Sequence, residues 1–179
     1  MTASVESEIK LEMAGPEAAR QKVRGLGATL ARPRHFEDNL LLDDAAGSVA
    51  ARGLSLRLRR TDAGTVVTYK GPRRDTGGVK SRPEIETGVS NGDAVQALLE
   101  GLGFRPVFRY QKYRETYRWD GVEIVVDETP VGTFLEIEGP VADIHEAARA
   151  LGYAPDDYVL DSYASLFFER GGQGDMVFP

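Results

Sequence analysis

The amino-acid sequence predicts an α+β protein: a closed antiparallel β-barrel with a charged interior and helices packed on its outside. Three observations indicate this fold class. Six or more segments alternate apolar and charged residues with the period of two that is typical of β-strands. Three helical segments carry apolar stripes that need an apolar surface to cover. The chain has 179 residues, 41% of them hydrophobic, which is enough for one sizeable core.

The barrel follows from where the two faces of each strand must go. Helices bury their apolar stripes against the apolar faces of the strands, so the charged faces turn toward one another. A sheet that closes on itself accommodates this arrangement, because closure removes the edges and lets one face line a polar cavity. We therefore expect a water-filled tunnel through the barrel.

The first strand and the first helix illustrate the pattern. Residues 5–11 read VESEIKL and place Glu6, Glu8 and Lys10 on one strand face. Residues 16–31 begin with Pro-Glu and reach a glycine stop near Gly27, which are helix start and end signals. Residues 92–103 and 141–152 repeat this helical design.

The later strands carry the remaining charges of the predicted interior. Basic residues alternate with apolar ones in LSLRLRR, VVTYK and RYQKYRETYRW, at positions Arg57, Arg59, Lys70, Lys112 and Arg114. Acidic residues occupy the matching positions in PEIET, VVDETP and FLEIEG, at Glu84, Glu86, Asp127, Glu136 and Glu138. Both signs of charge are therefore expected to face the same tunnel.

Composition excludes several classes of function. The net charge of −6 and the pI near 5.1 argue against partners bound by bulk electrostatics, such as nucleic acid or an anionic membrane. The chain has no cysteine and two histidines, which excludes thiolate metal sites and disfavours zinc. The sequence has no basic segment followed by an apolar run and no apolar stretch of membrane-spanning length. We expect a cytoplasmic protein.

Charges buried together in a tunnel require a ligand or partners, because unpaired buried charges are costly. Arginine forks and lysine ammonium groups suit a chain of phosphates. Clustered carboxylates without histidine or cysteine suit hard cations such as Mg²⁺ or Mn²⁺. Neither glycine-rich phosphate-binding motif occurs in the sequence. The residues together predict a site for a metal-bound triphosphate.

This ordered set of residues resembles the CYTH superfamily, also called the triphosphate tunnel metalloenzymes. The family includes class IV adenylyl cyclases, thiamine triphosphatases and inorganic triphosphatases. Glu6-Ser7-Glu8-Ile9-Lys10 is similar to its E-x-E-x-K signature. The other basic and acidic elements follow in the family's order, and the resemblance covers nearly the whole chain.

The resemblance implies roles for individual residues. The triphosphate would be bound by Lys10, Arg57, Arg59, Lys70, Lys112 and Arg114. The metal, Mg²⁺ or Mn²⁺, would be held by Glu6, Glu8, Asp127, Glu136 and Glu138. Glu84 and Glu86 would either join the metal ligands or orient the basic residues around them. Catalysis would centre on Glu6, Glu8, Lys10 and Lys70.

The segment 71–83, GPRRDTGGVKSRP, has two interpretations. It is either a mobile lid that brings Arg73, Arg74, Lys80 or Arg82 to the nucleotide or a flexible hairpin connection. His35 and His145 are both interpreted as surface residues. Residues 1–170 are predicted to form one domain, followed by a flexible tail, residues 171–179. A homodimer is left open.

Three functions remain as alternatives. The first is a metal-dependent triphosphatase that releases phosphate from an inorganic or nucleoside triphosphate. It is favoured because Arg57-x-Arg59 and Glu136-x-Glu138 are both complete, whereas class IV cyclases tend to depart from these pairs. The second is a class IV adenylyl cyclase that converts ATP to cyclic AMP and pyrophosphate. The third is a binding module for polyphosphate or a nucleotide, without turnover.

Overall fold

The computed structural model describes residues 4–179, so residues 1–3 of the predicted domain lie outside the described part of the chain. The strands are β1 (Ser4–Met13), β2 (Thr29–Asp43), β3 (Ser55–Thr61), β4 (Gly64–Lys70), β5 (Arg74–Thr76), β6 (Val79–Val89), β7 (Arg105–Trp119), β8 (Val122–Thr129) and β9 (Gly132–Glu138). The helices are α1 (Pro16–Gly25), α2 (Ser48–Ala51), α3 (Gly92–Gly101), α4 (Val141–Ala150) and α5 (Tyr163–Glu169), with a 3-10 turn at Pro155–Asp157.

The strands form one antiparallel sheet that closes into a barrel. Their hydrogen-bonded order is β1-β9-β8-β7-β2-β3-β4-β6-β5, and β1 also pairs with β6. Eight strands therefore complete the barrel, while β5 lies outside it along the first residues of β6. This architecture confirms the predicted α+β fold class with a closed antiparallel barrel.

The main hydrophobic core lies outside the barrel, between the sheet and two helices. Ile9 of β1 and Ile124 of β8 are fully buried on the outer face of the sheet. Val23 of α1 and Ile144 of α4 are fully buried against this face, within one continuous apolar cluster. Burial of these side chains is the main driving force that fixes both helices to the barrel. The charged faces of the same strands consequently point inward.

Local sequence signals place the helix starts. Pro16 opens α1 at its first position, where the missing N–H costs no hydrogen bond. Asn91 caps α3 by accepting a hydrogen bond from the Ala94 N–H at 3.0 Å. Ser162 caps α5 in the same way, with the Ser165 N–H at 3.1 Å. Such caps satisfy amide donors that a helix leaves free at its first turn.

A second apolar cluster lies at one end of the barrel, where α5 packs. Tyr163 and Leu166 of α5 are buried with Phe134 of β9 and Phe108 of β7. The backbone before α5 also joins the barrel, because Val159 and Lys10 exchange two backbone hydrogen bonds of 2.9 and 3.0 Å. Helix α5 is therefore held across the end of the tunnel at which its first residue enters.

The C-terminal segment differs from the flexible tail predicted from sequence. Met176 is fully buried in the cluster around α5. Its backbone donates to the Arg109 carbonyl and accepts from the Gln111 N–H, both at 2.9 Å. Phe178 lies against the Tyr113 ring, with centroids 5.3 Å apart. The two apolar side chains that follow the glycine-rich stretch explain why this segment packs on β7.

The segment 71–83 forms a hairpin in which β5 pairs with the start of β6. Within the described residues 4–179, no helix has the length and apolar character needed to cross a membrane.

Candidate active site

A charged cavity of about 250 Å³ occupies the interior of the barrel. Its basic lining residues are Lys10, Arg57, Arg59, Lys70, Lys80, Arg82, Lys112 and Arg114. Its acidic lining residues are Glu6, Glu8, Glu84, Glu86, Glu123, Glu136 and Glu138. Among the described residues, every position predicted for the site reaches this cavity except Asp127, which lies behind its wall.

Strand register produces the ion pairs of the interior. Lys10 of β1 is directly opposite Glu136 of β9, and their charged atoms are 3.3 Å apart. Arg114 of β7 is opposite Asp127 of β8. Opposite charges on directly facing positions of neighbouring strands attract one another. The alternating pattern of the sequence therefore becomes a lattice of paired charges along the tunnel.

Three carboxylates, Glu6, Glu8 and Glu138, form a group that we call the acidic trio. Each offers an oxygen, and these oxygens all lie within 4.8 Å of one another. Glu8 and Glu138 are register partners on β1 and β9, which brings two negative charges face to face. Hard divalent cations prefer such oxygen-only ligands, so the donor set fits Mg²⁺ or Mn²⁺.

The members of the acidic trio differ in their protonation. Burial favours the neutral form of Glu8, but Lys10 and Lys80 outweigh burial and hold its pKa well below the ordinary value. Burial raises the pKa of Glu138 to about 8, reinforced by the neighbouring Glu136 and Glu8 although Arg114 opposes the shift. Glu138 therefore keeps its proton near neutral pH. A cation would displace that proton, as metal binding to acidic ligands does generally.

Asp127 is in a different environment, which we call the Asp127 cluster: Asp127, Lys112, Arg114 and Tyr163. The Asp127 side chain is fully buried. Its carboxylate accepts hydrogen bonds from the Lys112 ammonium at 2.8 Å, the Arg114 guanidinium at 2.8 and 2.6 Å, and the Tyr163 hydroxyl at 2.8 Å. These four bonds use the acceptor capacity of one carboxylate. The geometry thus places Asp127 with the basic residues and apart from the acidic trio, to which the sequence had joined it as a metal ligand.

Glu136 is likewise occupied by cations. Arg114 donates to one of its oxygens and Lys10 lies 3.3 Å from the other. Although burial opposes ionisation, Arg114 and Lys10 hold the pKa of Glu136 below its ordinary value. Glu136 is therefore an ionised partner of two basic residues.

The opposite wall carries the arginine pair and Lys70. Arg57 and Arg59 both donate to one oxygen of Glu86, at 3.1 and 3.2 Å. Lys70 lies between Glu6 and Glu84, with 2.9 Å to the Glu84 carboxylate. Burial, together with the nearby Glu6, raises the pKa of Glu84 to about 7. Arg57, Arg59 and Lys70 therefore each contact at least one carboxylate of the cavity.

Arg82 uses its guanidinium differently from the other predicted phosphate ligands. It donates to the Gly71 carbonyl at 3.0 and 2.8 Å and to the Gly53 carbonyl at 3.2 Å. These bonds tie the hairpin 71–83 to the loop before β3. Arg82 lines the cavity, but most of its donors face backbone oxygens.

Sequence reasoning missed several interior residues. Lys80 contacts Glu8 and lines the cavity, whereas the sequence named it only among the residues that a lid at 71–83 would bring to the nucleotide. Glu37 is almost fully buried, 3.7 Å from the Lys112 ammonium and 3.8 Å from Arg59. The signal for Glu37 was present, since His35, Glu37 and Asn39 alternate along β2 as the other interior rows do.

Of the two histidines predicted at the surface, His35 is buried and His145 keeps partial exposure. His35 is buried in β2, where its Nδ1 lies 2.9 Å from the Pro33 carbonyl and its Nε2 lies 3.4 Å from Glu37. His145 is half-buried in α4, with Nδ1 3.1 Å from the Tyr158 hydroxyl and Nε2 2.9 Å from the Gly77 carbonyl. His145 thereby connects α4 to the hairpin that lies beside the barrel.

A closed eight-stranded barrel with a row of bases facing clustered carboxylates defines the class of triphosphate tunnel proteins. The family model described as the CYTH domain matches residues 4–163. The chain belongs to the CYTH domain family.

Relatives and solved structures agree with this assignment. A Methanocaldococcus jannaschii protein named "Putative adenylate cyclase MJ0240" is 27% identical over 173 residues, covering 90% of this chain and 98% of the relative. A Vibrio parahaemolyticus structure, described as a "putative adenylate cyclase", has a TM-score of 0.81 at 19% identity and covers 93% of this chain and 99% of its own. This second likeness supports the fold.

A third similar protein is described by its activity. The structure of HpAC1 from Hippeastrum has a TM-score of 0.69 at 25% identity, over 94% of this chain and 97% of that chain. It is described as a "putative adenylyl cyclase" that reveals a dominant triphosphatase activity. The proteins similar to this chain are thus named for two activities, adenylate cyclase and triphosphatase.

Proposed function

We propose that the protein is a divalent-metal-dependent triphosphatase that hydrolyses an inorganic or nucleoside triphosphate and releases phosphate. The observation that carries the proposal is the acidic trio facing a row of lysines and arginines within one cavity of about 250 Å³. A phosphate-binding module has little use for three clustered carboxylates. The activity described for HpAC1 supports the same reaction.

The basic residues bind the triphosphate in this mechanism. Arg57 and Arg59 exchange their shared partner Glu86, which is partly exposed, for phosphate oxygens. Guanidinium groups bind these oxygens in a bidentate manner and hold the chain of phosphates in one orientation. Lys10 and Lys70 act as point charges near the acidic trio and stabilise charge that moves to the leaving group.

Glu6, Glu8 and Glu138 would hold Mg²⁺ or Mn²⁺ in the same cavity. The bound ion supplies charge neutralisation on the phosphate oxygens. Asp127 and Glu136 keep Lys112 and Arg114 in place through the hydrogen bonds described above. The contribution of the chain is therefore position and electrostatics, and its substrate is a small-molecule triphosphate.

A class IV adenylyl cyclase is the second candidate, and the name of the Methanocaldococcus jannaschii relative favours it. In that reaction the ribose 3′-hydroxyl of ATP attacks the α-phosphorus and pyrophosphate leaves. The bases and carboxylates would have the same tasks. The nucleophile and the position of the scissile bond would differ.

A product assay separates the candidates. Purified protein is incubated with Mg²⁺ or Mn²⁺ and either tripolyphosphate or ATP, and orthophosphate, pyrophosphate and cyclic AMP are resolved. We expect orthophosphate from tripolyphosphate without cyclic AMP from ATP. Equal amounts of cyclic AMP and pyrophosphate would make the protein a cyclase, and binding without products would make it a module.

Two variants on strand β1 test the assignment of the trio. Glu8→Gln removes a trio carboxylate, whereas Glu12→Gln removes a carboxylate on the same strand that pairs with Arg170 outside the tunnel. Turnover is expected to be lost in the first variant and retained in the second. Equal turnover in both would contradict the metal assignment.

A further inference from the structure

The first residue of α5 enters the tunnel. Tyr163 lines the cavity together with its neighbours Ser162 and Ala164. The side chain is 7% exposed, and its ring packs 5.4 Å from that of Phe134. Tyr163 thus belongs both to the apolar cluster at the end of the barrel and to the charged interior.

Two lysines of the interior lie over the Tyr163 ring. The Lys10 ammonium is 5.2 Å from the ring centroid and the Lys112 ammonium is 5.3 Å from it. A cation within about 6 Å of an aromatic face is attracted by the ring quadrupole, more strongly when water is excluded. Lys10 and Lys112 have side chains only 3% exposed, so bulk water screens this attraction little.

The hydroxyl group fixes the ring. It donates to Asp127 at 2.8 Å, and the same Asp127 oxygen accepts from Lys112, also at 2.8 Å. The ring and one of its lysines are therefore held by a common acceptor.

We infer that Tyr163 is a positioning residue that holds the ammonium groups of Lys10 and Lys112 where they meet the triphosphate. The inference rests on the proposed function. In this role Tyr163 transfers no proton and acts through the two lysines. Its ring gives them a partner that does not compete with phosphate, because an aromatic face bears no formal charge.

The contributions of the Tyr163 ring and of its hydroxyl group can be measured separately. Tyr163→Phe keeps the ring and removes the bond to Asp127, whereas Tyr163→Leu removes both. Leu166→Ala is the matched control, since Leu166 is buried in the same α5 cluster and does not line the cavity. Any effect of loosening α5 alone will appear in this control.

Lysine signals measure the arrangement without reference to turnover. The chain has five lysines, so selective ¹³C labelling of the lysine ε-carbon gives a simple NMR spectrum. Ring currents should shift the ε-methylene signals of Lys10 and Lys112 upfield in the wild type and in Tyr163→Phe. The shifts should disappear in Tyr163→Leu. Lys22, 4.5 Å from the Tyr153 ring, serves as an internal reference in all proteins.

Kinetics then test the consequence for substrate. Tyr163→Leu should raise the KM for tripolyphosphate about tenfold, because both lysines bind phosphate, and should lower kcat about threefold, because Lys10 also stabilises charge on the leaving group. Tyr163→Phe should restore KM to within about threefold of the wild type. Leu166→Ala should lower the melting temperature without changing KM. A purely structural role for Tyr163 would instead lower kcat through the fraction of folded protein and leave KM unchanged.

Titration of the lysine signals with tripolyphosphate distinguishes failure of this inference from failure of the proposed function. Binding to the wild type without hydrolysis, weakened in Tyr163→Leu, would support the inference and overturn the triphosphatase. Unchanged lysine shifts and unchanged affinity in Tyr163→Leu would overturn the inference alone. Absence of tripolyphosphate binding by the wild type would overturn both.

Discussion

The acidic trio and the Asp127 cluster both place carboxyl groups in or behind the cavity wall, but the two regions differ in how fully nearby cations compensate those groups. In the Asp127 cluster one carboxylate is matched by two cations and a hydroxyl, and its side chain is fully buried. In the acidic trio three carboxylates share one space, and one of them has its pKa raised to about 8. The first region compensates its buried carboxylate fully within the chain, whereas in the second Glu6 and Glu8 have lysine partners and Glu138 has, among residues 4–179, only Arg114, at 3.9 Å.

The difference separates stability from binding. Charges that are matched within the chain support the fold and have little left to offer a ligand. Unmatched charges lower the stability of the folded protein, and binding of a cation restores it. Substitutions in the two regions should therefore affect different measurements.

The largest expected effect on stability is that of Asp127→Asn. The substitution leaves Lys112 and Arg114 buried without their shared anion, which should lower the free energy of unfolding by about 3–5 kcal/mol. Urea unfolding monitored by circular dichroism measures the loss. A change below about 1 kcal/mol would show that Glu37 and Glu136 suffice as partners.

Glu138→Gln should have the opposite profile. Glu138 is already protonated near neutral pH, and the substitution replaces it with a neutral amide of similar size that cannot ionise beside Glu136 and Glu8, so the free energy of unfolding should stay the same or rise. Metal-dependent turnover should fall about a hundredfold, within the several kcal/mol that a bound ion contributes to catalysis. Unfolding measurements check the expected stability, and product assays on the same protein check the expected loss of turnover. A destabilised but fully active Glu138→Gln protein would show that Glu138 supports the fold and is not needed for metal-dependent turnover.

The acidic trio also predicts a pH dependence of stability in the absence of divalent ions. The folded pKa of Glu138, about 8, exceeds the ordinary value of 4.5, so the folded state binds more protons between these values. Stability from this group is complete below about pH 4.5 and is lost as the pH rises through 8. We expect a loss of about 2 kcal/mol, less than the full shift implies because solvent screens the carboxylate.

Unfolding free energies measured with a chelator at pH 5 and at pH 8.5 test this expectation. Glu84, whose pKa is raised to about 7, contributes in the same direction. The difference between wild type and Glu138→Gln isolates the contribution of Glu138. If the stability of the wild type and of Glu138→Gln changed identically with pH, Glu138 would not be the source of the pH dependence.

The smallest effect is expected at an ion pair outside the tunnel. Glu12 and Arg170 are 2.9 Å apart, with side chains 49% and 39% exposed. Exposed pairs contribute little, so Glu12→Gln should lower the free energy of unfolding by about 0.5 kcal/mol or less. Urea unfolding at low and high salt provides the measurement. A loss comparable to that of Asp127→Asn would mean that burial does not explain the contrast between the regions.

Much of the fold and the composition of the site could be predicted from alternation alone. The period of two shows which residues share a face, and so Glu6, Glu8 and Lys10 were placed inside the barrel correctly. Glu37 was missed because β2 contains Pro33 and irregular register on both sides of Arg32, which obscure an otherwise regular row. Met176 was missed because three consecutive apolar residues after a glycine-rich stretch give no alternating signal.

The state of each charge could not be predicted in the same way. Asp127 and Glu138 both alternate correctly, yet Asp127 has two cations at hydrogen-bond distance, whereas Glu138 has Arg114 at 3.9 Å. Their difference depends on cross-strand neighbours: Asp127 faces Arg114, whereas Glu138 faces Glu8 and Glu123. Register between distant strands is set by the closed barrel and by its helices, beyond the reach of any local pattern.

The seam between β1 and β6 bears on how the chain folds. These strands share five registered pairs, from Ser4 with Glu84 to Glu8 with Lys80, while the second half of β1 pairs with β9. The neighbouring hairpins β3–β4 and β8–β9 join residues that are close in the chain and can form early, whereas the seam closes a loop of about 80 residues at a larger entropic cost. Two meanders would therefore assemble first and the cylinder would be completed last. The same argument applies to β1–β9 and β2–β7, whose partners are also distant in the chain. Slow refolding steps and early amide exchange should therefore concentrate along these three long-range pairings.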